Sequence, residues 1–405
     1  MSFIRPFYLF ILFALLTACS QSNHYSLGPR PLYIIESMPE SELKSKLQAC
    51  IGQSIMQHDF SIAHRGAPLM FPEHTEASYR AAATMGAGIL ECDATFTADG
   101  HLVCRHDQCD LHQTTDILLR PELAKTCRQP FKAATANAPA SALCCTSEIS
   151  LQEFESLCAK MDGVNNQAKT VDEYIKGTES WRTELYNQCQ PPISHKDSIA
   201  LFKTLNVKMT PELKATRPTK SHDKHTPKRT HLAQQLVNEY KQAGIKPEQV
   251  WLQSFEWQDI EYWIANEPEF AQQVVWLDSR YTQEIFDPNN LATVSPSMQQ
   301  LKQAGLNIIA PPLWVLITEQ DGNIVPSAYA VAAKEAGLDI ITWTLERSGP
   351  LNKGGGWYYQ SINNITTHDG MAMNLLHVLD KQVGVKGVFS DWPATTTFYA
   401  NCMMD

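Results

Sequence analysis

Short apolar runs with the look of β-strands recur along this chain, and helical stretches fill most of the gaps between them. The runs are Phe60 to Ala63, Ile89 to Asp93, Leu102 to His106, Val207 to Leu213, Val250 to Phe255, Val274 to Asp278, Leu306 to Ala310, Ile340 to Leu345 and Val388 to Ser390. Amphipathic stretches separate them at Glu76 to Met85, His231 to Ala243, Ser297 to Ala304 and Ser327 to Ala336, each followed by a capping glycine: Gly86, Gly244, Gly305 and Gly337. A strand that returns through a helix must pair in parallel, so the alternation predicts a parallel sheet clothed in helices.

Nine runs are one too many for a closed barrel of eight. Ala98-Asp99-Gly100 resolves the count, because Asp-Gly between two extended runs signals a hairpin. Leu102 to His106 is then an antiparallel arm folded onto the second strand. Pairing symmetric about Asp99 and Gly100 sets residues whose numbers sum to 199 opposite one another, which places Asp93 across from His106. Eight parallel strands remain, the number of a TIM (β/α)8 barrel. An open doubly wound sheet is the competitor, but no Gly-x-Gly-x-x-Gly loop follows the first strand.

Barrel enzymes carry their chemistry at the C-terminal ends of the strands, and there this chain places unusual residues. The first run stops at His64-Arg65-Gly66, the second at Glu91-Cys92-Asp93, and the arm delivers Arg105-His106-Asp107. Glu91 and Asp93 are two apart, so in a strand both leave one face while Cys92, read as a small buried residue, points away. Such a carboxylate pair holds a divalent ion against a phosphodiester whose negative charge repels nucleophiles. His64 and His106, with ordinary pKa values near ~6.5, suit an acid and a base. Arg65 suits a bidentate grip on phosphate oxygens. Glu212 and Lys214 repeat the spacing on the fourth run, offering a third metal oxygen and a second phosphate contact.

Arg5 precedes an apolar run, Phe7 to Leu16, too short to span a bilayer. It reads as an export signal over residues 1–18, ending in Leu16-Thr17-Ala18-Cys19, which resembles the processing site of bacterial lipoproteins, with Cys19 lipidated. A plain signal peptide with a coincidental cysteine is the alternative. Residues 19–55 are expected to form a tether and 56–405 the barrel, on the periplasmic face of a bacterial membrane. Of eleven cysteines, Cys19 leaves ten, an even number that in an exported protein implies disulfides. Cys127, Cys144, Cys145, Cys158 and Cys189 fall where strand and helix stop alternating, so residues 111–198 are expected to be a stapled insertion; the pairing stays open. No Cys-x-x-Cys spacing points to zinc. A net charge of -10 argues against a nucleic-acid partner, and the one basic cluster, Lys214 to His231, reads as a solvated loop rather than a lipid-headgroup patch.

Taken in order, His64-Arg65-Gly66, Pro72-Glu73-His74-Thr75, Glu91-Cys92-Asp93, Asp99-Gly100, His106-Asp107, Glu212-Leu213-Lys214, Ser254-Phe255, Trp343-Thr344 and Ser390-Asp391-Trp392-Pro393 resemble the glycerophosphodiester phosphodiesterases from Phe60 to Pro393, the insertion excepted. The resemblance implies a TIM barrel of the phospholipase C-like phosphodiesterase type. It implies hydrolysis of a small-molecule glycerophosphodiester to glycerol 3-phosphate and an alcohol, with Ca2+ or Mg2+ as cofactor. By motif, Glu91, Asp93 and Glu212 would bind the metal, His64 and His106 would exchange protons, and Arg65 and Lys214 would hold phosphate. The nucleophile is either water or the substrate's own glycerol hydroxyl. His74 stands where the family usually has Asn and Ser390 where it usually has Thr, which predicts altered hydrogen bonds behind the site.

Glu73 is either a further metal contact or a carboxylate favoured by the dipole of the helix beginning at Glu76. Trp343 is core filler or a wall for the glycerol moiety. The loop Gly354 to Tyr359 is an aromatic-tipped lid or, more simply, a surface loop. His195, His222 and His225 read as structural. Three rivals to the hydrolase reading are a phospholipase C stopping at a cyclic phosphate, a lysophospholipase D on membrane lipid, and a catalytically inactive binding lipoprotein.

Overall fold

A computed structural model describes residues 25–217 and 227–404; the signal segment 1–18, Cys19, His222 and His225 lie outside the described residues. All nine apolar runs form strands: β1 His58–Ala63, β2 Ala87–Phe96, β3 Leu102–Cys104, β4 Lys208–Leu213, β5 Gln253–Ser254, β6 Val275–Leu277, β7 Ile308–Ala310, β8 Asp339–Leu345 and β9 Gly387–Ser390. Eight run parallel and close on themselves, because β1 pairs with both β2 and β9. The result is a TIM barrel, with β3 as its single antiparallel appendage on β2.

Side-chain alternation sorts the barrel into two cores. On β2, Ile89 joins Ile62, Val275, Ile308, Ile341 and Phe389 inside the barrel, while Leu90, Cys92 and Ala94 pack outward beneath the helices. The helices end as their sequences require: Gly86, Gly244, Gly305 and Gly337 all adopt positive φ at the C-terminal turn.

The β2–β3 hairpin differs in register from the symmetric expectation. Ala94 pairs with Cys104, Thr95 with Val103 and Phe96 with Leu102, so paired numbers sum to 198. Ala98-Asp99-Gly100 is a three-residue loop with Gly100 at φ +81°, and Arg105, not His106, sits across from Asp93, its N–H donating to the Asp93 carbonyl at 2.7 Å. Arg105 is consequently buried, its guanidinium donating to the carbonyls of Cys104 and Glu73.

Cys92 is also not simply a small core residue. It is joined to Cys104, tying the arm to β2 on the face away from the barrel interior. Every one of the ten cysteines pairs: Cys50–Cys402, Cys109–Cys145, Cys127–Cys144 and Cys158–Cys189 complete the set. Three of these staple the segment between β3 and the helix His195–Leu205, which has little regular structure and its own small core around Ile117, Ile149, Phe154 and Tyr174. Stapling begins at Cys109, just before the expected start at 111.

The tether expected over residues 19–55 is corrected from Arg30 onward. Arg30–Glu36 and Glu42–Ala49 are helices, docked through buried Ile34, Ile35 and Leu47 and linked to the C-terminal helix Ala394–Met403 by Cys50–Cys402. Ser41 caps the second helix by accepting from the Lys44 N–H.

Candidate active site

Strand register brings the acidic residues together. Asp93 on β2 stands directly opposite Glu212 on β4, and Glu91 lies two residues back on the same inward face. One oxygen from each of Glu91, Asp93 and Glu212 falls within 4.8 Å of the other two, in a buried cluster. Burial raises the Glu91 carboxyl well above the ordinary range, with Asp93 and then Glu212 adding repulsion. Glu212 is pushed up to about 7 by burial, Lys214 opposing and Asp93 adding. Asp93 goes the other way: burial opposes it, but Lys214 and His74 hold it well below the carboxylate range. Among the described residues Asp93 Oδ1, though buried, accepts no hydrogen bond. A buried carboxylate oxygen left without a donor, beside two carboxyls that resist ionising together, is the donor set of a hard divalent cation.

Cations flank the cluster. Lys214 Nζ lies 2.5 Å from Glu212 Oε1 and 3.9 Å from Asp93 Oδ1. Arg65 adopts φ +56° after β1, its N–H donating to Glu91 Oε2 at 2.9 Å and its guanidinium to Glu73 Oε2 at 2.9 Å. Gly66 follows at φ +96°, where a Cβ would strike the Ser78 side chain. Glu73 lines the same cavity as Glu91 and Glu212 and is bonded to Arg65. It lies outside the carboxylate cluster, while Thr75 caps the next helix and Glu76 supplies its first-turn acid.

His74 sits at φ +53°, a conformation asparagine adopts more easily than most residues. Its imidazole bridges Asp93 Oδ2 (2.8 Å) and the Tyr79 hydroxyl (2.7 Å), so it supports the cluster from behind. Gln253 on β5, which sequence reasoning passed over, donates to Glu91 Oε1 at 2.9 Å. Its only signal is an amide at the inward end of an apolar strand.

Barrel closure positions His64. Ala63 pairs with Ser390, so the next residues, His64 and Asp391, emerge side by side. His64 Nδ1 lies 2.6 Å from Asp391 Oδ1. Asp391 is fully buried; burial would raise its carboxyl, yet Arg347 first, then His64 and Arg182, hold it at about 2. An ionised carboxylate only accepts, so His64 donates from Nδ1 and keeps Nε2 as its lone pair. Burial, then Arg65, lower His64 to about 4 against the pull of Asp391. In the sequence Asp391 is one letter of the closing Ser390-Asp391-Trp392-Pro393 stretch, and its partnership with His64 depends on which strand closes the barrel.

His64 and His106 line one cavity of about 610 Å³, together with Glu91, Glu212, Arg65 and Lys214. Burial and the nearby Arg65 and Lys214 hold His106 well below its usual pKa. One wall is aromatic: Phe255, Tyr281, Trp343, Trp357 and Tyr358. Trp343 is thus both wall and scaffold, its Nε1 donating to the Ala310 carbonyl at 2.9 Å. Trp357 stacks on Trp343 with centroids 5.8 Å apart, which makes the glycine-rich loop part of the cavity rather than a plain surface loop. The segment after β3 supplies the remaining side through Asp110, Gln113, Thr114 and Asp162.

Some candidates lie elsewhere. His195 is buried against Glu239 and Tyr240, a structural cluster. Of the basic run, Arg229 is spent on Asp259 and on the carbonyls of Leu213 and Lys214, pinning the end of β4.

Fold and site define a parallel-barrel enzyme with a buried acidic centre at its mouth. Residues 64–395 match the glycerophosphoryl diester phosphodiesterase family, and the chain belongs to that family of phosphodiester hydrolases. A protein named "Extracellular protein" from Arthroderma benhamiae is 44% identical over 248 residues, covering 60% of this chain and 99% of that one. A "Probable glycerophosphodiester phosphodiesterase 1" from Mycobacterium tuberculosis is 55% identical over 51 residues, 13% of this chain and 19% of that one. In fold, the crystal structure of a "Putative glycerophosphoryl diester phosphodiesterase" from Silicibacter pomeroyi aligns with TM-score 0.53 at 16% identity, over 87% of this chain and 95% of that one.

Proposed function

We propose that this protein hydrolyses glycerophosphodiesters to glycerol 3-phosphate and an alcohol in a metal-dependent reaction, with His64 and His106 carrying the protons. The observation that supports this most is the convergence of Glu91, Asp93 and Glu212 within 4.8 Å, with Glu91 and Glu212 lining the cavity that both imidazoles share. These three carboxylates would hold a divalent ion, Ca2+ or Mg2+, which when bound supplies Lewis-acid polarisation of the phosphate.

The chain's own residues do the rest. Lys214 and Arg65 neutralise charge that builds on the phosphate oxygens in the transition state. His64 takes a proton at Nε2, and Asp391, bonded to Nδ1, stabilises the imidazolium that results. His106, the second imidazole of the cavity, would protonate the departing alkoxide from its imidazolium form and end neutral. The aromatic wall excludes water and orients the substrate's carbon skeleton.

Export is part of the same reading. Ten paired cysteines fit an oxidising compartment, and one relative bears the name "Extracellular protein". Residues 1–18 would be the signal, and Cys19 the lipid-bearing first residue of the mature chain at the periplasmic face of a bacterial membrane. Mass spectrometry of the mature N-terminus decides this: a diacylated Cys19 supports the anchor, a free N-terminus elsewhere removes it.

The activity is tested by release of glycerol 3-phosphate from glycerophosphocholine before and after exhaustive chelation. Turnover that disappears with the metal and returns with Ca2+ or Mg2+ supports the proposal. Undiminished turnover without metal refutes the mechanism, and no turnover under any condition refutes the function.

A further inference from the structure

The disulfide-stapled segment does more than cover the barrel. Asp391 Oδ2 accepts two guanidinium groups, Arg347 Nη1 at 2.9 Å and Arg182 Nη2 at 3.1 Å. Arg347 follows β8, but Arg182 comes from the stapled segment. Asp162, also from that segment, closes the circuit: Arg182 Nη1 bonds its Oδ1, and Arg347 Nη2 lies 3.2 Å from its Oδ2. Two carboxylates and two guanidiniums thus form a closed ring, one member of which, Asp391, is the carboxylate that orients His64.

The ring is held from the stapled side. Cys158–Cys189 closes a loop that contains both Asp162 and Arg182. Within it, Lys160 Nζ donates to the carbonyls of Gln113, Met161 and Gly163 at 2.6 to 2.8 Å, fixing the turn that carries Asp162. Arg182 lies over the Trp181 ring, 4.8 Å from its centroid. Trp181 in turn rests on Gly349, where a Cβ would come within 3.0 Å of the indole. The Arg182 side chain is only 3% exposed and is absent from the cavity lining, so it meets Asp391 without meeting substrate.

We propose that Arg182, held by Asp162, is a positioning residue of the catalytic centre, acting through Asp391 on His64, and that Cys158–Cys189 holds it there. A carboxylate buried this completely is stable only when its charge is matched and its lone pairs are filled. With Arg182 in place, Asp391 presents one oxygen to His64 in one orientation. Without it, Oδ2 has a single guanidinium, Arg347 is drawn towards Asp162, and the imidazole loses its fixed direction.

The inference rests on the hydrolase reading above. Its test is a double-mutant cycle on the full chain, comparing R182M in the parent and in a D391N background, with glycerophosphocholine as substrate. Acting through Asp391, R182M should lower kcat about 10- to 100-fold in the parent with KM within about twofold, and change the D391N protein less than about twofold. The pair C158A/C189A should behave in the same way. R182K, which keeps a positive charge but loses the planar fork that spans Asp391 and Asp162, carries the same cycle should R182M fail to fold. Equal losses in both backgrounds, or a parent indifferent to R182M, overturn the proposal while leaving the hydrolase reading intact. A parent protein that releases no glycerol 3-phosphate removes both.

Discussion

Asp93 and Glu212 face each other across adjacent parallel strands, and between them Lys214 is the only cation within 4 Å of both among the described residues. The pairing concentrates negative charge where the barrel opens, and its first consequence is a pH-dependent affinity for metal. Glu212 is held at about 7 before a cation arrives, so below that pH a proton must leave before the carboxylate can coordinate. Above pH 7 the Glu212 contribution is level; below it, the dissociation constant for Mg2+ should rise at least about tenfold per unit. Titration calorimetry at pH 8 and pH 5.5 checks this, and equal affinities would refute it.

Removing the carboxylate behind His64 should cost rate rather than binding. D391N keeps the volume but cannot stabilise an imidazolium at His64, and kcat is expected to fall by about 10³ with little change in KM. Steady-state kinetics on glycerophosphocholine measures it; a loss under tenfold would argue that His64 does not carry the proton.

Cys92–Cys104 ties the arm to β2 on the face opposite Glu91 and Asp93. Closing a loop of about this length restrains the unfolded chain by roughly 3 kcal/mol, so C92A/C104A should lower stability by about 2–3 kcal/mol in denaturant titration. The carboxylates are held by β2 itself, so the double variant should retain metal affinity within about threefold at low temperature.

Trp357 offers its ring to the cavity and stacks on Trp343. W357A removes wall area without touching a proton carrier, so KM should rise about tenfold while kcat changes less than about threefold. A fall in kcat alone would assign the loop to closure instead.

The barrel was legible because its signal is repeated. Each apolar run, helix and glycine reinforced the next, and the Asp-Gly turn identified β3 as the odd strand. Glu91, Asp93 and Glu212 were legible for a related reason: spacing of two on a strand fixes a shared face. The hairpin register was not, since a three-residue loop and a two-residue loop share the same turn letters and differ by one in every pair. Asp391, Arg347 and Arg182 were missed because their meeting depends on barrel closure and on a stapled segment without periodicity. Cys92 was misread because its partner lies across a hairpin whose register was off by one.

Diffraction from crystals soaked in Mn2+, recorded at the manganese absorption edge, would locate the ion. The expected result is one anomalous peak within about 2.0–2.6 Å of oxygens from Glu91, Asp93 and Glu212. A peak bound elsewhere, or none at saturating metal, would contradict the reading of this cluster as the centre of the reaction.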